Sequence, residues 1–369
     1  MKNKYDKNNP FPAKILKRYL INKEGSTKKT YHITLDLSGS NITHKVGDSI
    51  GILPSNPPEQ VDELLAALGR SPQEKIFDPR SGMQMTLKCF ITTKANLLHL
   101  TPSLLKFLGH FTLADDKTKK KRDQFIAHHD LIDLFKIYPS TASTQKIISH
   151  FAPLLPRFYS IASSPIVSPN TIDLLIATFT YTYANKQRQG VTSSFLSHMA
   201  KPHTTPVLAF LLPTPSFTLP ASDKPILMIA PGTGVAPYRA FLQERLKKGA
   251  SGFNWLIFGE RNKNTDFYYE SFFTSLKKRG FLRLDLAFSR DQKEKVYVQH
   301  KLLENSYDVW ELIQSNGTIY ICGDARYMAK DVMNILHNIV ETRGKRSSSE
   351  AKALLRQMRC EKRLLMDIY

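Results

Sequence analysis

The residues in this sequence with the plainest chemical purpose are Gly232, Thr233 and Gly234, a glycine turn between the apolar run Ile226 to Ile229 and a segment opened by Pro237. In that segment Tyr238, Phe241 and Leu242 recur at helical spacing, so the stretch reads as strand, tight turn and helix. Such a turn aims backbone N–H groups and the positive end of a helix dipole at one point, which suits a pyrophosphate. The glycines let the backbone approach closely, and Thr233 adds a hydroxyl donor. Taken alone, a Gly-x-Gly turn is equally an ordinary strand-to-helix connection. Its neighbours along the chain decide between the two.

Composition removes several other chemistries. The 3 cysteines, Cys89, Cys322 and Cys360, are odd in number and widely spaced, which fits a reducing compartment and not a Cys-rich metal site. The 11 histidines form no H-E-x-x-H, and the adjacent His128 and His129 cannot share a helix face, so no protein-bound metal is expected. The first residues, MKNKYDKNNPFP, lack the apolar core of a signal peptide. Apolar runs such as Val207 to Leu212 fall far short of the roughly 20 residues that span a bilayer. A cytoplasmic protein without a membrane span is expected. With 369 residues, 41% of them hydrophobic, the chain has room for two or three domains and a sizeable core.

The net charge of +20 comes from 52 basic and 32 acidic residues. Nucleic-acid binding would need basic residues interleaved with exposed aromatics, or a known reading element, and neither is visible. That leaves a generally basic surface or a field that steers an acidic protein partner. The densest run, Lys117 to Arg122, reads as a solvated loop.

Elements must position these groups. From Phe11 to about Pro54 the pattern is strand-like, with Tyr31, Ile33, Leu35 and Leu37 in strict alternation, which predicts an antiparallel sheet or small barrel. Val61, Leu64, Leu65 and Leu68 then change to helical period, with Gly69 as a stop. Further helical pattern at Ser103 to Phe111, Leu131 to Ile137 and Gln145 to Leu155 makes residues 59–152 a helical insertion. Strand character returns at Arg157 to Ala162 and Thr171 to Tyr183, completing a barrel from residues 1–58 and 153–221. Beyond Ser222 strands and helices alternate through Asn254 to Gly259, Arg283 to Phe288 and Thr318 to Cys322, which predicts a doubly wound parallel sheet over residues 222–369. Its ligand crevice is expected at the carboxyl ends of the strands.

Four further stretches fall at those ends or on the barrel: Arg157-Phe158-Tyr159-Ser160; Gly190-Val191-Thr192-Ser193; Ser289-Arg290 with Lys295, Tyr297 and Gln299; and Cys322-Gly323-Asp324 with Asp367-Ile368-Tyr369. With the GTGVAP turn they resemble the ferredoxin–NADP reductase superfamily, most closely the FAD/NADPH half of diflavin reductases such as the NADPH-sulfite reductase flavoprotein and the microsomal NADPH–haemoprotein reductase. The resemblance runs from Asn9 onward and includes the helical insertion, the connecting domain of those enzymes.

The resemblance implies an FAD-binding β-barrel with a helical insertion, then an NADP-binding Rossmann-like domain. It puts Arg157 on the FAD pyrophosphate, for which a guanidinium fork is suited. Phe158, Tyr159 and Ser160 would lie along the isoalloxazine, with Ser160 near N5. Gly190, Val191, Thr192 and Ser193 would wrap the pyrophosphate at a helix start, or Ser193 or Ser194 would serve as a plain cap. Tyr181 is either the residue near the adenine or a cross-strand aromatic. On the NADP side, Ser289, Arg290, Lys295 and Tyr297 supply two cations, two hydroxyls and an aromatic face for a 2′-phosphate and an adenine. Gln299 completes the same K-x-Y-x-Q match, and Arg261 and Asp331 would be lesser contacts near the nucleotide. An NAD site would want a free acid about 20 residues past the glycines, and the local candidate, Glu260, sits beside Arg261, so NADPH is expected over NADH. Ser160, Cys322 and Asp367 would form the reaction centre, with the carboxylate stabilising positive charge as hydride leaves. Cys322 alternatively is a buried inert thiol. Tyr369 would stack on the flavin and swing aside as a gate, or fray.

Two departures matter. The barrel begins almost at Met1, so an FMN relay within this chain is not expected, and the strand DLLIATFTYTY and tail RLLMDIY are looser than the other motifs. The expected activity is an NADPH-dependent FAD flavoprotein reductase passing single electrons to an acidic carrier (flavodoxin, ferredoxin or an FMN domain) or to a sulfite reductase haemoprotein. A module that holds FAD and a partner without turnover is the non-enzymatic rival.

Overall fold

A computed structural model of the chain describes residues 4–113, 115–183, 186–323 and 328–368. Three strands open it, β1 (Phe11–Leu20), β2 (Lys29–Asp36) and β3 (Ser49–Leu53). The polypeptide then leaves for the insertion and returns as β6 (Arg157–Ser160), β7 (Thr171–Thr178) and β10 (Val207–Leu212). These six form one antiparallel sheet in the order β6-β3-β10-β1-β2-β7. A register shift between Ile15 and Lys17 lets β1 pair with β10 at its start and β2 over the rest. The outermost strands meet where Ala162 N donates to Asp173 O at 2.7 Å, closing the barrel around Ile15, Ile33, Leu35, Ile50 and Ile172.

Alternation in the region of β7 predicts one strand from Thr171 to Tyr183, and the structure breaks it at Phe179. β8 (Thr180–Tyr183) turns out of the barrel and pairs with β9 (Lys186–Gln189) as a separate hairpin. Gly190 follows, then α7 (Val191–Ser194), continued by a π-helical turn to Met199.

The insertion holds α1 (Pro58–Leu68), the hairpin β4 (Lys75–Phe77) and β5 (Gln84–Thr86), α2 (Leu87–Thr93), α3 (Pro102–Phe107), α4 (Asp116–His128), α5 (Leu131–Ile137) and α6 (Thr144–Ile148). It has its own core around Leu64, Phe90, Leu104, Phe135 and Phe151. α1 ends as its spacing predicts, on Gly69 in the left-handed region (φ 62°). The basic run Lys117 to Arg122 is not a loop. It lies in α4, which buries none of its side chains. Asp115 caps it by accepting from Thr118 N at 2.8 Å, and lysine is a good helix former, so helix needs no apolar period here.

The second half is a parallel sheet in the order β13-β12-β11-β14-β15, formed by β11 (Ile226–Pro231), β12 (Asn254–Glu260), β13 (Arg283–Phe288), β14 (Thr318–Gly323) and β15 (Leu364–Ile368). Near-continuous apolar runs mark strands buried on both faces, and two apolar clusters cover them. α8 (Ala236–Lys247), α9 (Lys263–Asp266) and α10 (Glu270–Lys278) follow the first two strands. α11 (Val298–Glu304), α12 (Ser306–Gln314), α13 (Met328–Thr342) and α14 (Ser348–Cys360) complete the set. The doubly wound expectation holds, with α14 and β15 added to it. The cluster over α8 also takes in Val46, Ala162, Leu175 and Phe217 from the barrel, so the two halves share one core. Among the described residues no helix is long and apolar enough to cross a membrane.

Candidate functional site

The carboxyl ends of β11, β12, β13 and β14 border a cleft of about 650 Å³. The Gly232–Val235 stretch forms a tight helical turn that runs into α8, and Gly232 (φ 57°) and Thr233 line the cleft. The two glycines differ in what they do. A side chain on Gly232 would enter the cleft, with its Cβ 3.3 Å from Glu260 Oε2, whereas a Cβ on Gly234 would lie 2.1 Å from Cys322 O. Gly232 keeps the approach to a ligand open; Gly234 lets the turn pack on β14.

Ser289, at the end of β13, lines the same cleft with Tyr297, Gln299 and Asp331. Gln299 Nε2 donates to Asp331 Oδ2 at 3.2 Å, joining the starts of α11 and α13. Arg290 and Lys295 are exposed beside this group, outside the cleft lining, and neither pairs with a carboxylate among the described residues. Glu260 is committed elsewhere. It accepts from Lys28 Nζ at 2.5 Å, from Tyr268 Oη at 2.9 Å and from Arg261 N at 3.0 Å.

Lys28 is the functional candidate that sequence reading missed. It belongs to the β1–β2 connection, which reaches across to the sheet half. Lys23 N donates to Thr265 O at 2.9 Å, Asn22 Nδ2 and Ser26 Oγ donate to Asp266 Oδ1 at 2.7 and 2.5 Å, and Arg261 NH1 donates to Thr27 Oγ1 at 2.8 Å. Its Nζ lies 3.9 Å from where a Gly232 Cβ would sit, so a barrel cation borders the glycine turn. No local pattern marks such a residue.

At the centre, pairing of β14 with β15 sets Cys322 opposite Asp367. Asp367 Oδ2 accepts from Ser160 Oγ at 2.6 Å and from Cys322 Sγ at 3.8 Å. Cys322 is wholly buried, and burial, reinforced by the Asp367 charge, pushes its thiol pKa well up. The trio drawn from β6, β14 and β15 is thus brought together across the seam.

On the barrel, Arg157 and Tyr159 alternate with Phe158, whose ring is 50% exposed and packs edge-on to Phe210 at 6.1 Å. Burial raises the Tyr159 and Tyr181 phenol pKa values, and Arg157 lies near enough to oppose both shifts. Arg157 has no carboxylate partner among the described residues. In the hairpin, Tyr181 faces Arg188, which forms an ion pair with the buried Asp130 of the insertion. A side chain at Gly190 would put Cβ 2.8 Å from the Phe179 ring and 2.7 Å from Ser193 Oγ, so the turn into α7 is closely packed there. Val191 is partly exposed, Thr192 and Ser193 are buried, and Ser193 Oγ donates to Gly190 O at 3.0 Å. An unpaired guanidinium, flat aromatic faces and a glycine turn before a helix start fit a flavin dinucleotide, as the opposite cleft fits a nicotinamide one. Tyr369 and Asp324 lie outside the described residues.

An antiparallel barrel and a parallel nucleotide sheet meeting at a Ser–Asp–Cys contact define a two-domain flavin- and nicotinamide-dinucleotide architecture. Residues 3–95 and 103–195 match the FAD binding domain family, and residues 228–334 match the oxidoreductase NAD-binding domain family. The chain belongs to the FAD-binding-domain family and carries an oxidoreductase NAD-binding domain, an arrangement of the ferredoxin–NADP reductase kind. It is 38% identical over 376 residues to the sulfite reductase (NADPH) flavoprotein alpha-component of Bacillus subtilis (strain 168), covering 99% of this chain and 62% of that protein. The proteins of the same description from Mannheimia succiniciproducens and Vibrio cholerae are 35% and 36% identical, again over 99% of this chain and over 62% and 60% of their own lengths. The chain therefore spans about three fifths of the length of these relatives.

Proposed function

We propose that this chain is an NADPH-dependent flavoprotein reductase, or the part of one that handles FAD and NADPH, with residues 1–58 and 153–221 holding FAD, 59–152 inserted, and 222–369 holding the nucleotide. Bound FAD supplies a two-electron acceptor that can return electrons singly to a separate carrier. The observation that carries this reading is the Ser160 Oγ to Asp367 Oδ2 contact of 2.6 Å across the seam, with Cys322 Sγ 3.8 Å from the same oxygen. Ser160, whose hydroxyl donates to Asp367, would border the flavin on the barrel side. Asp367 would supply a negative charge able to stabilise the positive charge a nicotinamide gains as hydride leaves. Cys322, held as a protonated thiol, fills space and orients that carboxylate.

Arg157, Gly190, Val191, Thr192 and Ser193 would bind the flavin pyrophosphate, with Phe158, Tyr159, Tyr181 and Tyr369 as its aromatic contacts. Gly232, Thr233 and Lys28 would hold the nicotinamide nucleotide's pyrophosphate. Ser289, Arg290, Lys295 and Tyr297, with Gln299 and Asp331 close by, would hold the ribose, its phosphate and the adenine. Glu260, already engaged by Lys28 and Tyr268, is poorly placed to take a ribose 2′-hydroxyl, which favours NADPH over NADH. The net charge of +20 suits an acidic carrier, a flavodoxin, a ferredoxin or an FMN domain. The relatives' description as sulfite reductase flavoprotein components favours a second acceptor, the haemoprotein of that enzyme. The three unpaired thiols are compatible with a cytoplasmic location.

The deciding experiment mixes FAD-loaded protein with NADPH and with NADH without oxygen and follows the flavin absorbance. Rapid bleaching, faster with NADPH at limiting concentrations, is expected. A flavin that neither nucleotide bleaches would leave only the holding module.

A further inference from the structure

Ala162, two residues past Ser160, lies at a second tie between the halves. Its carbonyl accepts from Arg239 NH1 of α8 at 2.6 Å, and the same nitrogen donates to Asp173 Oδ2 at 2.8 Å. One turn further along α8, Gln243 Oε1 accepts from Ser164 N at 2.9 Å and Glu244 Oε2 accepts from Ser164 Oγ at 2.7 Å. Asp173 completes the tie from the barrel side. Its carbonyl accepts from Ala162 N, its own N–H donates to Ser163 Oγ at 2.9 Å, and Oδ1 accepts from Thr34 Oγ1 at 2.7 Å, with His32 Nε2 3.4 Å away. Ser163, Ser164, Asp173 and Glu244 are all buried. The Arg239 guanidinium also lies over the Tyr269 ring, with Cζ 4.8 Å from its centroid.

α8 begins at the glycine turn of the nucleotide cleft, while residues 161–164 follow directly on β6, the strand that ends in Ser160. One guanidinium therefore connects the turn that would hold the nicotinamide nucleotide to the strand that faces the flavin. We infer that Arg239, with Asp173 as its counterpart, is a positioning residue that sets the register between the two halves and so the alignment of hydride donor and acceptor. The inference rests on the function proposed above. A lysine could reach Ala162 O or Asp173 but would lose the planar stacking on Tyr269. Because a misplacement of about 1 Å far from the chemistry can cost on the order of a hundredfold in rate, loss of the tie bears on the hydride step before it bears on binding.

The test compares FAD-loaded wild type, Arg239→Gln, Arg239→Lys and the charge-balanced Arg239→Gln/Asp173→Asn. Two readouts are taken: single-turnover flavin reduction against NADPH concentration, and amide hydrogen exchange over residues 161–164 without nucleotide. For Arg239→Gln the limiting rate is expected to fall at least about tenfold, with FAD content and half-saturating NADPH within about twofold of wild type. Arg239→Lys should be intermediate, and exchange at 161–164 faster in every variant. A limiting rate within about twofold of wild type, or a rate loss matched by lost nucleotide binding, overturns the inference. If Arg239→Gln does not fold, the double variant, which leaves no buried unpaired carboxylate, gives the same reading. If NADPH fails to bleach even the wild type, it is the proposed function that fails; the exchange comparison then decides the tie alone.

Discussion

Asp367 Oδ2 is shared by two donors from different parts of the chain, and each donor makes its own prediction. Ser160→Ala removes a hydrogen bond to a charged acceptor, an interaction of about 1.5–3 kcal/mol. If that bond tightens in the transition state, flavin reduction at saturating NADPH should slow by about 10- to 100-fold while FAD stays bound. Stopped-flow absorbance reads this, and an unchanged limiting rate would remove Ser160 from the reaction centre. For Cys322, a thiol whose pKa burial has raised is protonated at neutral pH and poorly nucleophilic. Alkylation of the native protein at pH 8 followed by peptide mass spectrometry should label the exposed Cys89 and Cys360 and spare Cys322. Equal labelling of all three would show that the site is open. Residues carried in short contiguous motifs, such as Arg157 to Ser160 and Gly232 to Gly234, were legible because chemistry and backbone geometry constrain neighbours together. Lys28 and Arg239 were not, since their partners lie on another domain and nothing within several residues of either reports it.

At the scale of elements, the turn after β11 is fixed by packing as much as by ligand chemistry. Gly234→Ala would drive a methyl group into the Cys322 carbonyl carbon and oxygen, at 2.8 and 2.1 Å, and push α8 from β14. Overpacking of this kind costs about 1–3 kcal/mol, which should lower the melting temperature by a few degrees for a chain this large. An unshifted melting curve would mean that the turn yields freely. Periodicity found β11, β12 and β14 because strands buried on both faces are near-continuous apolar runs, and the edge strand β13 because Leu284, Leu286 and Phe288 recur at every second residue. It missed α14, although Ser347 and Glu350 form a capping box and Ala351, Leu355 and Met358 are buried at helical spacing. Without α14, the five-residue β15 could not be placed, so the resemblance put Asp367 near Cys322 but not the parallel pairing of β15 with β14 that sets the two opposite each other. α4 shows the opposite failure. A segment whose apolar residues are few and only partly buried, here Phe125 and Ile126, carries little periodic signal even when capping and propensity make it a helix.

For the molecule as a whole, the seam has a predictable acid sensitivity. Burial alone would raise the Asp173 pKa, but hydrogen bonding and charge from His32, the Arg239 guanidinium and the Thr34 hydroxyl outweigh it and hold the carboxyl below its ordinary value. A depressed pKa stabilises the fold at pH values above the unfolded-state value of about 3.9, and the contribution is lost as pH falls below it. Denaturant titrations between pH 3 and pH 7 should therefore show a steeper acid loss in wild type than in Asp173→Asn. Parallel curves would assign the acid limb to other carboxylates. Composition alone bounded the size and sign of the molecule's field, but not the side chains that join its halves.

The shared core carries a consequence for anyone recombining this protein. Phe217 packs against Phe241 and Tyr320 at ring separations of 5.7 and 5.4 Å, and Tyr320 Oη donates to Thr218 O at 2.7 Å. A chimaera that grafted a relative's nucleotide half onto this barrel at residue 222 would inherit one wall of an aromatic cluster without the matching wall. Crossovers would succeed only if Val46, Ala162, Asp173, Leu175 and Phe217 travelled with α8, so the natural unit of exchange is larger than either domain.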